Sequence, residues 1–312
     1  MSSPVKPAAP ALRERLFVAL QYVLPQHLIS RLVHRLARMR IGWLKTPFTR
    51  WFIRHFGVRL EEAVEPDYRA YPDFNSFFTR ALKPEARPVD PASEAVVSPV
   101  DGQVSQAGRI EGDAVFQAKG HRFSVHTLLG ETRRWSDVFR GGVFTTLYLS
   151  PRDYHRIHMP LTGTLQETIH VPGRLFSVNE ATTRQVPGLF ARNERVVCVF
   201  DTAAGPMAMV LVGALNVGSI ETVWQGEITP PTGRTIRHWD QIHLNLTLEK
   251  GQEMGRFNMG STVILLFADE RVRWEANLQP DHSVKMGQRI GTVVSMEDGD
   301  RRHGERVGTA TL

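Results

Sequence analysis

Beyond about residue 66 the chain is a succession of short, β-rich apolar runs: AVVSPV (95–100), VFTTLYLS (143–150), RVVCVFD (195–201), MAMVLVGALNV (207–217) and STVILLF (261–267). Branched and aromatic side chains of this kind suit a pleated, packed surface. Turn pairs such as Asp101-Gly102, Pro172-Gly173 and Thr232-Gly233 separate the runs. Only two short helical stretches, near 74–82 and 179–185, interrupt this texture, so the body is expected to be mainly β. With 42% apolar and 22% charged residues among 312, it has the composition of a domain with a proper core. The single cysteine, Cys198, excludes an internal disulfide framework, and its apolar run VVCVF suits a small buried side chain.

The first 65 residues read differently. Residues 11–60 hold nine Arg and one Lys against a single acid, Glu14, a charge of +9. With Lys6 and a whole-chain charge of +6, residues 61–312 carry −4, so the basic character belongs to the N-terminal segment. The run LFVALQYVL (16–24) stops at Pro25, short of the roughly 20 residues a spanning helix needs, and no signal-cleavage site follows it. Two amphipathic helices are expected next. In the first, Leu28, Leu32 and Leu36 form one row and Ile29, Val33 and Ala37 the adjacent one. In the second, Pro47 suits the first turn, and Phe48, Phe52 and Phe56 recur at every fourth position beside Arg50 and Arg54. Such helices either pack on the body or lie at an anionic membrane surface; no recognisable motif points to nucleic acid. The fold class is therefore α+β. Residues 1–65 read as a basic amphipathic helical segment with membrane association as one expected role, 66–295 as a mainly β domain, and 296–312 as a polar tail.

Three segments could carry chemistry. YLSPRDYHRIHMP (148–160) sets His155 and His158 after a strand, where they serve as acid–base groups or as solvated loop residues. A metal site is not expected, because no third ligand follows at a typical spacing. In SPVDG (98–102), Asp101-Gly102 is a good turn, and an aspartate at a strand end can also orient an imidazole. In KGQEMGRFNMGSTVILLF (250–267), Ser261 follows Gly260 and opens an apolar strand. Glycine lets a serine hydroxyl approach the preceding carbonyl, which suits an N→O acyl shift, although a plain turn reads the same way.

Together with PDFNSFFTRALKPEARP (72–88), QAKGH (117–121), VPGRLFSVN (171–179), LFARNERV (189–196) and VGSIETVW (217–224), these segments make the chain resemble the bacterial phosphatidylserine decarboxylases over most of residues 15–285. The resemblance implies self-cleavage at Gly260-Ser261 by a triad of Asp101, His158 and Ser261, with His158 as base, Asp101 its orienting partner and Ser261 the nucleophile. Ser261 then becomes a covalent pyruvoyl cofactor that forms a Schiff base with phosphatidylserine, giving phosphatidylethanolamine and CO2. His155 falls on the histidine that serves decarboxylation itself. The usual Leu-Gly-Ser-Thr signature has Met259 in place of leucine, an apolar exchange that should leave the chemistry intact. Arg152 and Arg156 are candidates for the head-group phosphate, from charge and proximity alone. The mature protein would be a large chain, 1–260, and a small chain, 261–312, bound peripherally to the cytoplasmic face of the inner membrane; a homo-oligomer is compatible with the sequence. Rival readings are a Ser-His-Asp lipid esterase, which lacks a G-x-S-x-G elbow, and an inactive membrane-bound β module.

Overall fold

The computed structural model describes residues 12–118, 121–215, 219–229, 234–259, 262–268 and 271–294. The turn Thr232-Gly233, the pair Gly260-Ser261 and the tail 296–312 lie outside the described residues. The architecture is α+β, with N-terminal helices followed by antiparallel sheets.

Three helices open the chain: α1 (Leu12–Val23), α2 (Gln26–Ala37) and α3 (Gly42–Phe56). Pro47 does not stand in the first turn of α3, as its sequence suggested. The helix starts earlier, at Gly42, where the carbonyl of Ile41 accepts from the N–H groups of Leu44 and Lys45, so Pro47 is interior. Gly57, left-handed at φ 69°, ends it. No single helix among the described residues is long and apolar enough to cross a membrane; α1 and α2 meet at 89°.

These helices carry an apolar outer surface. They bury Gln21, Gln26, Ser30, Lys45 and Thr49 alongside Val18, Ala37 and Phe52, and expose Leu28, Leu32, Leu36 and Trp43, the last 80% accessible. The buried polar groups hold the helices to the body. Gln21 and Gln26 accept the N–H groups of Ser177 and Leu175, and Lys45 donates to the carbonyls of Arg69 and Tyr71. A soluble helix buries its apolar face instead, whereas Leu28, Leu32 and Leu36 stay at least half exposed among the described residues.

The strand Thr262–Phe267 occupies the middle of a nine-stranded antiparallel sheet, between Gly205–Val212 and Val143–Tyr148. Both faces are covered: Val263, Leu265 and Phe267 enter one hydrophobic cluster, Ile264 and Leu266 the other. That is why its sequence is a continuous apolar run and does not alternate. A second sheet pairs Arg156–His158 with Glu253–Asn258, which pairs with Ser219–Thr222. The chain leaves this sheet at Asn258 and joins the large one at Thr262, so residues 259–261 connect two sheets. Strands Ser283–Val284 and Arg289–Val293 return to pair with Gly102–Arg109 and Ala95–Val97. A chain severed at 260 would thus remain woven into the body through several strands.

Candidate active site

The approach to the Gly260-Ser261 pair is fixed on both sides. Asn258, buried, donates to Ser219 Oγ at 2.7 Å and accepts from Asn75 Nδ2 at 2.9 Å. Asn75 lies on the short helix α4 (Phe74–Phe78). Met259 then takes φ 78°, a left-handed conformation that costs an L side chain about 1–2 kcal/mol. On the far side Thr262 lies opposite Tyr148, and its buried Oγ1 has no hydrogen-bond partner.

His158 ends its strand with both ring nitrogens engaged. Nδ1 lies 2.8 Å from the carbonyl oxygen of Gly251, and Nε2 lies 3.0 Å from the hydroxyl of Tyr154. A carbonyl can only accept, so the proton sits on Nδ1 and leaves a lone pair on Nε2. Burial pushes the Tyr154 phenol up to about 12, so it is the donor in that contact. Burial also lowers the His158 pKa, against the opposing pull of the Gly251 carbonyl. The ring is neutral and its Nε2 is basic.

His155, only 1% exposed, stacks on Phe78 with ring centroids 4.0 Å apart. Neither nitrogen has a hydrogen-bond partner of good geometry. Burial, reinforced by the Arg80 guanidinium, brings its pKa down to about 3, although the backbone of Pro151 and Ser150 favours the charged ring. Its backbone carbonyl accepts from Phe257 N–H at 3.0 Å, two residues before Met259, and Met259 packs on the cluster that contains Phe78.

Asp101 does not bond His158, as its expected orienting role suggested. Its carboxylate is gripped by Arg87, with Nε 2.8 Å from Oδ1 and Nη2 2.6 Å from Oδ2, and also accepts the N–H of Met286 at 2.9 Å. Arg87 reaches Glu62 as well, and that bond lowers the Glu62 pKa. The Asp101 charge still favours the imidazolium of His158 from a distance. Gly102 is required next to it, because a Cβ there would lie 2.5 Å from the carbonyl oxygen of Tyr148. Of the two arginines singled out by charge, Arg156 is held by Glu253 and the Thr79 carbonyl, whereas Arg152 lines a polar cavity. Arg80, Tyr154 and Gly251 were not foreseen. All three lie inside the quoted motifs, but only their contacts in the fold mark them out.

Two cavities adjoin this region. One, of about 280 Å³, is apolar and is lined by α2, α3, Phe74 and Met259. The other, of about 370 Å³, is polar and includes Arg80, Asp101, Tyr148, Arg152, Tyr154 and Lys285. Met259 touches the first and Tyr148, the partner of Thr262, the second. Met259 therefore borders the apolar space directly, and Thr262 is one strand away from the polar one through Tyr148. A serine-derived keto group at 261 fits this setting, where Thr262 Oγ1 and the His155 nitrogens are buried and unpartnered. Among the described residues no cluster of His, Cys, Asp or Glu could hold a metal ion.

Comparison with known proteins agrees with this chemistry. Residues 74–292 match the family model described as phosphatidylserine decarboxylase, and residues 16–57 match a model described as PSD. The phosphatidylserine decarboxylase proenzyme of Stutzerimonas stutzeri is 56% identical over 282 residues, 90% of this chain and 95% of the relative. That of Azotobacter vinelandii is 56% identical over 283 residues, covering 90% and 99%. The Pseudomonas fluorescens proenzyme is 55% identical over 282 residues, covering 90% and 98%. The chain belongs to the phosphatidylserine decarboxylase family, carboxy-lyases made as self-processing proenzymes that carry a serine-derived pyruvoyl group.

Proposed function

We propose that Ser261 is the nucleophile of self-cleavage, His158 its base, and His155 the residue that serves the decarboxylation of phosphatidylserine. In the first step Ser261 Oγ attacks the Gly260 carbonyl while His158 Nε2 takes the hydroxyl proton. The amide C–N bond breaks, an ester C–O bond forms, and the proton passes to the freed amine. Elimination then releases the Gly260 carboxylate and leaves dehydroalanine, whose hydrolysis expels ammonia and yields the pyruvoyl end. Asp101 contributes through its charge and through its grip on the Met286 segment of the small chain.

The pyruvoyl carbonyl supplies a sink for the electron pair released as CO2 departs. His155 offers the substrate carboxylate a neutral, desolvated neighbour, where charge that is about to vanish is least stabilised. The observation that supports this reading is the pair of cavities: Met259 lines the apolar one and Tyr148, the cross-strand partner of Thr262, lines the polar one, which suits a lipid whose head group enters the polar cavity.

The membrane assignment rests on the apolar outer surface of the N-terminal helices. Leu28, Leu32 and Leu36 would enter the acyl boundary and the surrounding arginines would meet anionic head groups, from the cytoplasmic side of the inner membrane. Residues 1–65 would thus be the membrane segment and 66–295 the catalytic domain. Separating the two steps tests the site roles. His155→Ala should cleave itself and decarboxylate poorly, and His158→Ala should remain largely uncut. Equal loss of both steps in both variants would overturn the division of labour.

A further inference from the structure

Three arginines are buried in the body, and their environments differ. Arg195 donates to four backbone carbonyls, those of Leu128, Ala191, Asn193 and Thr127. Arg87 is neutralised by Asp101 and Glu62. Among the described residues Arg80, 4% exposed, makes one hydrogen bond, from Nη2 to the Arg152 carbonyl at 3.2 Å, its guanidinium lies 5.8 Å from the Phe77 ring centroid, and its buried Nε has no hydrogen-bond partner. Among the described residues it forms no ion pair. Burial lowers its pKa, yet a guanidinium keeps its charge in proteins. An unpaired, buried cation is costly, and a fold that needed Arg80 only for packing would satisfy it as it satisfies Arg195.

Arg80 lines a cavity suited to an anion. Arg59, Arg87, Arg152 and Lys285 share its lining; of its three carboxylates, Glu62 and Asp101 are already bound to Arg87, and Asp153, which accepts the Ser150 N–H, has its pKa raised by burial. We infer that Arg80 binds the phosphodiester of the phosphatidylserine head group, a role that rests on the reading above, in which the head group enters this cavity.

The head group offers two oxyanions, and the reaction distinguishes them. The carboxylate loses its charge as CO2 forms, so an arginine on it would stabilise the substrate more than the transition state and slow the step. The phosphodiester keeps its charge throughout and can be held tightly without raising the barrier.

The product distinguishes the two sites as well, because phosphatidylethanolamine retains the phosphodiester and lacks the carboxylate. Arg80→Gln, purified and checked for self-cleavage, should raise KM for short-chain phosphatidylserine and the inhibition constant of short-chain phosphatidylethanolamine by the same factor. About tenfold or more is expected for losing a charge-assisted contact, with kcat changed far less. Should the glutamine variant fail to fold or cleave, Arg80→Lys keeps the charge, loses the fork, and should show the same matched pair of losses at smaller size. A raised KM with unchanged product inhibition would place Arg80 at the carboxylate, and no change in either constant would remove it from the substrate; both overturn the inference. Wild-type turnover of the same lipid in the same assay keeps a failure here distinct from a failure of the substrate assignment.

Discussion

His158 Nδ1 and the Gly251 carbonyl oxygen, 2.8 Å apart, fix which nitrogen of the imidazole can act as a base. Gly251 sits at φ 81°, and a Cβ there would meet Val89 Cγ2 at 2.7 Å. Gly251→Ala should therefore strain the turn and displace the carbonyl. Self-cleavage, followed by gel densitometry from the moment of synthesis, should slow roughly tenfold for a strain of about 1–2 kcal/mol. An unchanged rate would mean that this carbonyl does not set the tautomer.

The depressed pKa of His158 gives a prediction in pH. A general base works in its neutral form, so self-cleavage should hold its rate below the ordinary imidazole range, with its acid limb midpoint under 6.5. A limb centred at or above 6.5 would contradict the buried, neutral ring.

His155 links pH to stability. The unfolded ring binds a proton near 6.5, whereas the folded one does so only near about 3. The unfolded state therefore holds more protons between these values, and stability should fall as pH drops through that window. His155→Gln should flatten this part of a melting-temperature profile. A profile as steep as that of the parent would assign the loss to other groups.

Arg87 joins Asp101 to Glu62 at 2.6 and 2.7 Å. Arg87→Ala leaves two carboxylates without their cation, one of them nearly buried, and should cost about 3 kcal/mol in chemical denaturation. It should also lower fragment yield about as much as Asp101→Ala does. Normal processing in the arginine variant would show that Asp101 acts without its clamp.

The outer face of α2 predicts a separation of binding from folding. Changing Leu28, Leu32 and Leu36 together to Ser touches residues at least half exposed, so melting and self-cleavage should hardly change. Flotation with anionic vesicles should be lost. Retained flotation would move the membrane contact elsewhere.

Much of this was legible in the sequence because it is local. STVILLF announced an apolar strand, which the structure covers on both faces, and the four-residue recurrence of Leu28, Leu32 and Leu36 announced α2. The direction in which that helix faces was not legible, because it depends on Gln21 and Gln26 finding the backbone N–H groups of Ser177 and Leu175 about 150 residues away. Pro47 misled for a related reason: one absent N–H does not prevent a helix from starting at Gly42. At the candidate site, residue types singled out Asp101, His155 and His158 and left a plain turn or loop reading open; the resemblance supplied their expected roles. Of their partners, Tyr154 is local, four residues before His158, whereas Arg87, Arg80 and Gly251 come together with them only through the tertiary fold.

The most direct test is intact-mass spectrometry of the purified protein under denaturing conditions, with and without a hydrazine reagent. Two chains are predicted, 1–260 and 261–312, the smaller lacking an amino terminus and gaining one hydrazone. A single 312-residue chain with an unmodified Ser261 and no reaction with hydrazine would contradict the account.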